Sequence, residues 1–511
     1  MNDNSSVWIQ RAGFCSVGEL LTAQARRRPT QIALADSERQ QDYISLNSRT
    51  NRLAHALRRK GVVRGSRVAI LSENRLEYIE VMFAAAKLGA ILSALNWRLA
   101  KNELAHCISL VDPTIVLVSR RFQNALEDAN WQGAVVGIDD NYEALIAQSS
   151  DAEPPVVAQP EDGLLILYTS GTTGLPKGAL ISHRAELARM NLSRLDLGLE
   201  ADDTFVAWAP MFHMVSLEHA IHVLGLGGKV IVVDGADAVR LAELVENERQ
   251  WWLVLIPGMI DPLLAEMKRR NVRPKGLKLI GALADLLPKQ VIAEASRLLN
   301  APYWNTFGST ETGMLPAAGT RFPPGYEPST LAKTHNSLYL WRLVDSEGND
   351  VVRGDPGEMA VRGPTVFSGY WNAEEANEKA FIGGWFHMGD MFIEDADGTL
   401  NFVDRSKYLI KSGGENIYPI EIERILMADP GVAEAVVVKR PDSVWSEVPV
   451  AFVVPQAANV TSEYLMQMCR EGLSSYKCPR EIRLIKSQEE FPRSTSGKVQ
   501  RQIVEQWLKQ V

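Results

Sequence analysis

The stretch Leu164-Leu165-Ile166-Leu167-Tyr168-Thr169-Ser170-Gly171-Thr172-Thr173-Gly174-Leu175-Pro176-Lys177-Gly178 decides how the rest of the chain is read. Its first half is an apolar run bounded by a Pro-rich acidic linker, the pattern of a buried strand. The strand breaks into four Ser/Thr residues interleaved with glycines, and a lysine follows. A loop of this kind offers hydroxyls, unhindered backbone N–H groups and one mobile cation, which together suit a polyphosphate. The competing reading is a Gly/Ser/Thr surface turn after a strand.

The pattern G-x-x-x-x-G-K-[ST] of nucleotide-binding P-loops is broken here. Counting from Gly171 puts Pro176 where the second glycine belongs and Gly178 where the metal-binding hydroxyl belongs. The loop is therefore a phosphate loop of another kind. Tyr168 to Gly178 resembles the signature loop of the adenylate-forming superfamily, which includes acyl-CoA synthetases, adenylation domains and beetle luciferases. That resemblance implies chemistry in which a carboxylate is joined to the AMP part of ATP, pyrophosphate leaves, and the acyl group passes to a thiol.

The 511 residues can bury a large core and predict two or more domains. Composition is that of a globular protein, and the net charge of −8 argues against nucleic acid or an anionic membrane as the main partner. The sites for the anions ATP and CoA must then be locally positive. Cys15, Cys107, Cys469 and Cys478 show no CxxC spacing and no disulfide framework, so they read as reduced thiols of a cytoplasmic protein. The first residues lack a basic region followed by an apolar one, and no stretch is long enough to span a bilayer.

From residue 17 to 110 the pattern alternates between helix and strand, and a further strand follows. Leu20–Arg27, Ser45–Lys60 and Glu77–Leu88 read as helices, with Leu53, Ala56 and Leu57 on one face of the second. Arg67–Leu71 and Thr114–Val118 read as strands. This is the βα alternation of a doubly wound sheet. Residues 133 to 159 read as a loop and linker. Ser182 is placed to cap a following helix. Trp252–Pro257 and Leu277–Leu283 are further strand candidates.

Further segments carry the resemblance in family order. Pro210-Met211-Phe212-His213 resembles an element whose histidine, here His213, lies between nucleotide and acyl pocket. A metal reading of His213, His219 and His222 is set aside, because only the last two share helical spacing and no carboxylate is suitably placed. Amino-acid-activating relatives carry an aspartate near this element, whereas this chain has no carboxylate until Glu218. Gly281-Ala282-Leu283-Ala284 departs from a Gly-Gly-Ala-Pro wall of the adenine and acyl pockets. Asn305 to Thr312 matches aromatic-Gly-x-Thr-Glu, which implies that Phe307 and Gly308 meet adenine, Thr310 contacts the α-phosphate and Glu311 ligates Mg²⁺. That carboxylate also answers a physical need, since the phosphate loop carries no metal ligand of its own. Glu327–Lys333 replaces the family's Gly-x-x-Gly-Arg-Pro.

Gly384 to Asp390 resembles the motif whose aspartate accepts both ribose hydroxyls, a role for a two-oxygen acceptor. Arg405 corresponds to an arginine that contacts ribose and phosphate, and Lys407 to the hinge of a mobile small domain. Lys411, Gly413 and Gly414 resemble the loop that lies against the thiol in the second step. Finally, Arg493 to Arg501 carries Lys498. A carboxylate approaching a phosphate is repelled by about 4 kcal/mol per unit charge pair at ~4 Å and an effective dielectric of ~20. A cation touching both relieves that repulsion. The competing reading of this segment is a flexible basic tail.

The expected fold is α/β, with a large N-terminal domain of doubly wound sheets and a β-barrel-like part over residues 1–403. A small mobile α+β domain would cover 404–511. The expected function is an ATP-dependent carboxylic acid–CoA ligase using ATP, Mg²⁺ and CoA. Thr169, Ser170, Gly171, Thr172, Thr173, Gly174 and Lys177 would bind the phosphates, and Met214, Val215, Gly281, Ala282 and Met314 would line the pocket of a fatty or aryl acid. The chain ends soon after Lys498, which favours free CoA over a fused carrier. Two alternatives are loading of a separate carrier protein and a nucleotide-binding ATPase without ligase chemistry. No nucleic-acid partner is expected, and the oligomeric state stays open, with a homodimer as one candidate.

Overall fold

A computed structural model describes residues 9, 11–169, 175–282, 284–412, 415–457, 459–493 and 498–509. The chain forms two compact units: Met1–Leu340 with Arg362–Gly384, and Trp341–Val361 with Trp385–Val511. Among the described residues no helix is long and apolar enough to cross a membrane.

The first unit holds two large sheets and a small two-stranded one, Gly308–Ser309 with Gly313–Pro316. One has six strands in the order Val135–Gly137, Ile115–Val118, Arg67–Leu71, Ile91–Ala94, Gly163–Thr169, Lys177–Ser182. Its first five strands are parallel and the last is antiparallel. The other has eight strands, parallel in the interior and antiparallel at both edges. Strands covered on both faces read as continuous apolar runs, and Ile115–Val118 is buried throughout. The helix Leu76–Lys87 is buried on every side. Its charges are matched: Arg49 lies 2.7 Å from Glu80 and Glu153 lies 2.9 Å from Lys87.

The helices expected around residues 20–27, 45–60 and 77–88 are present as Val17–Arg27, Tyr43–Arg59 and Leu76–Lys87. The segment read as a loop from 133 to 159 instead contains the strand Val135–Gly137 and the helix Tyr142–Ala147. Three residues are too few to display a period, and this strand exists because it completes the edge beside Ile115–Val118. The expected strand over Trp252–Pro257 is Gln250–Leu253, so most of the predicted run lies beyond the ladder.

The second unit has an antiparallel sheet in which Trp385–Glu394 pairs with Leu400–Arg405 on one side and with the strand bearing Glu358 on the other. Its other sheet is built on the long hairpin Val432–Asp442/Ser446–Pro455. Alternate residues face opposite ways. Val437, Ala451 and Val453 pack with Ile422, Leu426 and Leu465 of the helices Pro419–Met427 and Ser462–Gly472. Val436, Val438 and Phe452 pack instead with Phe491, Val499 and Val504 from the C-terminal segment.

Candidate active site

The phosphate-loop segment joins two antiparallel strands, with Thr169 directly opposite Lys177. Ser170, Gly171, Thr172, Thr173 and Gly174 lie outside the described residues. Below the loop, the Tyr168 hydroxyl donates to Cys107 O at 2.9 Å and bonds Ser93 Oγ at 2.8 Å, which fixes the end of the strand. Unlike a P-loop, the lysine enters a strand and not a helix. The helix His183–Leu195 begins only after Ser182, whose hydroxyl accepts Ala185 N–H at 3.3 Å as the sequence predicts.

The Thr-Glu motif forms the tip of a small hairpin, Gly308–Ser309 against Gly313–Pro316. Thr312 N–H donates to Ser309 O and its hydroxyl accepts Ser309 N–H, both at 3.1 Å. Gly313 closes the tip at φ +83°, a conformation that suits glycine. Phe307, Gly308, Thr310 and Glu311 are each part-exposed here, so their side chains sit at a surface and not in the core. Phe367 N–H donates to Glu311 O at 2.8 Å, and the Tyr370 hydroxyl donates to Glu311 Oε1 at 2.8 Å. The Lys177 ammonium stands 3.7 Å from the centre of the Tyr370 ring. The fold thus brings Lys177, Glu311 and Tyr370 together from three distant parts of the chain.

Arg189 supports this tip from beneath. It is 2 % exposed, lies 2.5 Å from Glu218, and donates to Thr310 O at 3.1 Å and Thr365 O at 3.0 Å. One guanidinium therefore holds the motif turn, the segment leading to Tyr370, and the helix Met214–Leu226. Burial raises the Glu186 carboxyl to about 8, with Arg189 opposing the rise. Burial lowers His222 to about 3, with Arg189 adding to the fall. His222 Nδ1 bonds Ser193 Oγ at 2.9 Å, and His219 packs on Trp252 at 4.9 Å between ring centres. These two histidines are thus structural.

His213 stands at the N-cap position of the helix Met214–Leu226, its ring 4.6 Å from that of Phe212. Asn74, which the sequence does not single out, shapes this element: its side chain accepts Met211 N–H and donates to Ala209 O, both at 2.8 Å. Met214 is buried, and Val215 and Met314 are partly exposed. Glu218, the first carboxylate after His213, is committed to Arg189, so it is not placed to receive a substrate ammonium.

Gly281 has φ +93°, and a Cβ there would lie 2.4 Å from the Tyr303 ring. The Tyr303 hydroxyl donates to Ala282 O at 2.7 Å, anchoring this wall, and Leu283 lies outside the described residues. The two departures from the family pattern are physically joined. Lys333, fully buried, lies 2.6 Å from Asp285 and donates to Asn305 Oδ1 at 2.5 Å. Asn305 in turn donates to Leu331 O at 2.9 Å. A lysine in one departing segment is compensated by an aspartate in the other, and both are tied to the start of the aromatic-Gly-x-Thr-Glu motif.

In the second unit, Asp390 is 2 % exposed and stands opposite Arg405, whose Nε lies 3.1 Å from its carboxylate. Gly389 (φ +72°) donates its N–H to Glu358 at 2.8 Å, fixing the bend before Asp390. Lys407 is exposed, 4.9 Å from the Tyr408 ring. Lys411 is exposed on Ile410–Ser412, and its N–H donates to Glu447 at 2.8 Å. Gly413 and Gly414 lie outside the described residues. Lys498 is exposed and follows residues 494–497, which also lie outside. An Arg493–Val499 bridge and Gln500 N–H to Pro492 O at 2.7 Å flank it. Arg501 is bound to Glu423 at 2.7 Å and to Val437 O at 3.1 Å. Residues 498–509 are therefore packed structure and not a loose tail.

Among the described residues no cluster of three or more His, Cys, Asp or Glu could hold a metal on protein ligands alone. The single carboxylate of Glu311 fits Mg²⁺, which is commonly held by one or two carboxylates together with substrate phosphates.

Residues 21–371 match the AMP-binding enzyme family and residues 421–498 match the AMP-binding enzyme C-terminal domain. The chain is 36% identical to an indoleacetate–CoA ligase of Aromatoleum aromaticum, over 96% of this chain and 98% of that one. It is similar to the solved o-succinylbenzoate CoA synthetase of Bacillus subtilis with an acyl-adenylate intermediate: TM-score 0.84, 26% identity, 95% of this chain and 97% of the other. The same Bacillus subtilis enzyme with ATP and a magnesium ion matches at TM-score 0.83 and 26% identity, over 94% and 98% of the two chains. Together with the hairpin that presents Lys177 and the turn that presents Glu311, these matches establish that the chain belongs to the AMP-binding enzyme family, the adenylate-forming superfamily, in its acid–CoA ligase branch.

Proposed function

We propose that this ligase activates an aryl-substituted carboxylic acid and transfers it to CoA. The observation that carries the reading is the meeting of Lys177, Tyr370 and Glu311, which puts a cation and a metal-binding carboxylate beside one phosphate-loop hairpin. The names of the similar enzymes, ligases of indoleacetate and o-succinylbenzoate, support an aryl acid. So does the Phe212 ring, 4.6 Å from that of His213 and buried beside Met214.

In the first step a substrate carboxylate oxygen attacks the α-phosphorus of ATP. The bond to the bridging oxygen breaks, and pyrophosphate departs with the electron pair. Thr169, Ser170, Gly171, Thr172, Thr173, Gly174 and Lys177 hold the phosphates, Thr310 contacts the α-phosphate, and Phe307 and Gly308 meet adenine. Asp390 and Arg405 hold the ribose. Glu311 would hold Mg²⁺, which neutralises phosphate charge when bound. Lys498 contacts carboxylate and α-phosphate together and offsets about 4 kcal/mol of repulsion per charge pair at an effective dielectric of ~20. His213 stands between nucleotide and acid, with Met214, Val215, Gly281, Ala282 and Met314 lining the acid's pocket.

In the second step the CoA thiol gives up its proton and attacks the acyl carbonyl, and AMP leaves with its phosphate oxygen. Residues 404–511 turn about Lys407, withdraw Lys498 and bring Lys411, Gly413 and Gly414 to the thiol. We place the enzyme in the cytoplasm, where its four free cysteines stay reduced.

The test is CoA-dependent AMP release with indole-3-acetate, 2-succinylbenzoate, benzoate and octanoate. AMP and pyrophosphate with an aryl acid are expected. Octanoate turning over as fast as the best aryl acid defeats the substrate class, and ADP with phosphate defeats the ligase reading.

A further inference from the structure

Arg189 sits midway along the helix His183–Leu195, among its buried residues, and no step of the chemistry touches it. Removing a guanidinium from water is costly, and a leucine or methionine would fill the same space. What sets the arginine apart is the set of groups its nitrogens hold. Nε donates to Thr365 O at 3.0 Å, Nη1 to Glu218 Oε1 at 2.5 Å and Nη2 to Thr310 O at 3.1 Å. The fork is planar and rigid, so bonds from each nitrogen in a different direction fix three elements relative to one another.

Two of these bonds serve the nucleotide side. Arg189 grips Thr310 by its carbonyl, from beneath, while the Thr310 and Glu311 side chains stay part-exposed. The turn also rests on the arginine stem, since a Cβ at Gly313 would stand 3.1 Å from Arg189 Cδ. Thr365 opens a second route to the same turn: Phe367 N–H donates to Glu311 O at 2.8 Å. The carbonyls of Thr310 and Glu311 are thus both held, one directly and one through a short length of chain. The remaining bond serves the acid side. Glu218 is 1 % exposed and lies one helical turn after Met214 and Val215, so all three share a flank of the helix Met214–Leu226.

We propose that Arg189 is a positioning residue that sets the acid's carboxylate against the α-phosphorus, by locking the helix that carries Met214 and Val215 to the turn that carries Thr310 and Glu311. This rests on the reading of the turn as part of the nucleotide site and of the helix as part of the acid pocket. Each reactant binds its own half of the site without the lock. What the lock supplies is the approach between them, where a misplacement of about 1 Å slows reaction by about a hundredfold. Once the acyl–AMP bond exists the two reactants are joined covalently, and the lock has no further part.

Arg189→Lys keeps the positive charge and the stem but replaces the planar fork by a single ammonium. It is compared with wild type using the fastest acid among indole-3-acetate, 2-succinylbenzoate, benzoate and octanoate. Calorimetry gives the Kd of ATP and of the acid separately. Single-turnover assays, normalised to folded enzyme, give adenylate formation and thioester formation from the synthetic acyl-adenylate. Arg189→Lys should form adenylate about ten- to a hundredfold more slowly, with both Kd values within about fivefold and thioester formation within about threefold of wild type. An unchanged adenylation rate overturns the proposal. So does an equal fall in both half-reactions, which marks a role in stability alone, or an ATP Kd weakened by as much as the rate. Should Arg189→Lys not fold, Glu218→Gln decides. It keeps one acceptor for Nη1 and leaves both carbonyl bonds in place, and the same split is expected at about three- to tenfold. Equal half-reactions in that variant overturn the proposal. A wild type that forms no AMP and pyrophosphate with any of these acids fails the nucleotide reading and the proposal with it, whereas an active wild type beside an unaltered Arg189→Lys fails only the arginine's role.

Discussion

Glu186→Gln tests the polar network beneath the Thr-Glu turn through its effect on stability. Glu186 is fully buried, and among the described residues no aligned hydrogen bond reaches its carboxyl oxygens; His222 Nε2 is 3.2 Å from one of them. Burial lowers His222 to about 3, so the imidazole is neutral at working pH and does not compensate a carboxylate. Burial holds Glu186 up at about 8, against about 4.3 for an unperturbed glutamate. The folded state therefore binds this proton more tightly than the unfolded chain. The resulting stability is complete below the ordinary glutamate value and is lost as pH rises through about 8.

Between pH 5.5 and 7.5 the loss from this one group is about 2 to 3 kcal/mol, at a little under ~1.4 kcal/mol per pH unit. Glutamine has nearly the same shape and no such titration, and any cost of burying its amide is the same at both pH values. The assay is urea unfolding followed by tryptophan emission, since Trp251 and Trp252 are fully buried. Relative to wild type, the variant should be about 2 to 3 kcal/mol better at pH 7.5 than at pH 5.5. Parallel stability–pH curves for the two proteins would refute the reasoning.

Lys498→Ala should slow adenylate formation by about two to three orders of magnitude, the rate equivalent of ~4 kcal/mol, while thioester formation from synthetic acyl-adenylate stays within about threefold of wild type. Single-turnover assays of each half-reaction measure the split, and equal loss in both removes the basis for a moving lysine. Asp390→Ala should raise the ATP KM about ten- to a hundredfold by deleting charge-assisted contacts to the ribose, and an unchanged ATP KM excludes that role. Lys333→Met should cost about 3–5 kcal/mol because it strands Asp285, with much of this recovered in Lys333→Met/Asp285→Leu. Equal urea midpoints for the single and double variants would show that the pair is not the cause.

The chemistry-bearing segments were legible where they are short and local. The strand before Thr169, the Ser182 cap and the helices from Val17 to Lys87 follow from apolar period and capping residues that lie within a few positions of one another. Arg189 was not legible, because its three acceptors come from residues 218, 310 and 365 and leave no mark on the helix that bears it. The departures at 281–285 and 327–333 looked unrelated in the sequence. They become one feature only when the fold sets Lys333 against Asp285. His219 and His222, which share helical spacing in the sequence, are core side chains because aromatic rings and Ser193 surround them. The short strand at Val135 depends on its sheet neighbour and has no period of its own.

The anchoring of Arg501 has a mechanical consequence. Its guanidinium is locked to Glu423 and Val437 O, only three residues past Lys498, and Val499 is packed into the apolar layer with Phe452 and Val504. The lysine is thus riveted to a folded body and cannot search for its target as a free arm would. On the proposed reading of Lys498, any journey it makes is the journey of the five-stranded sheet with its helices and not the rotation of one side chain.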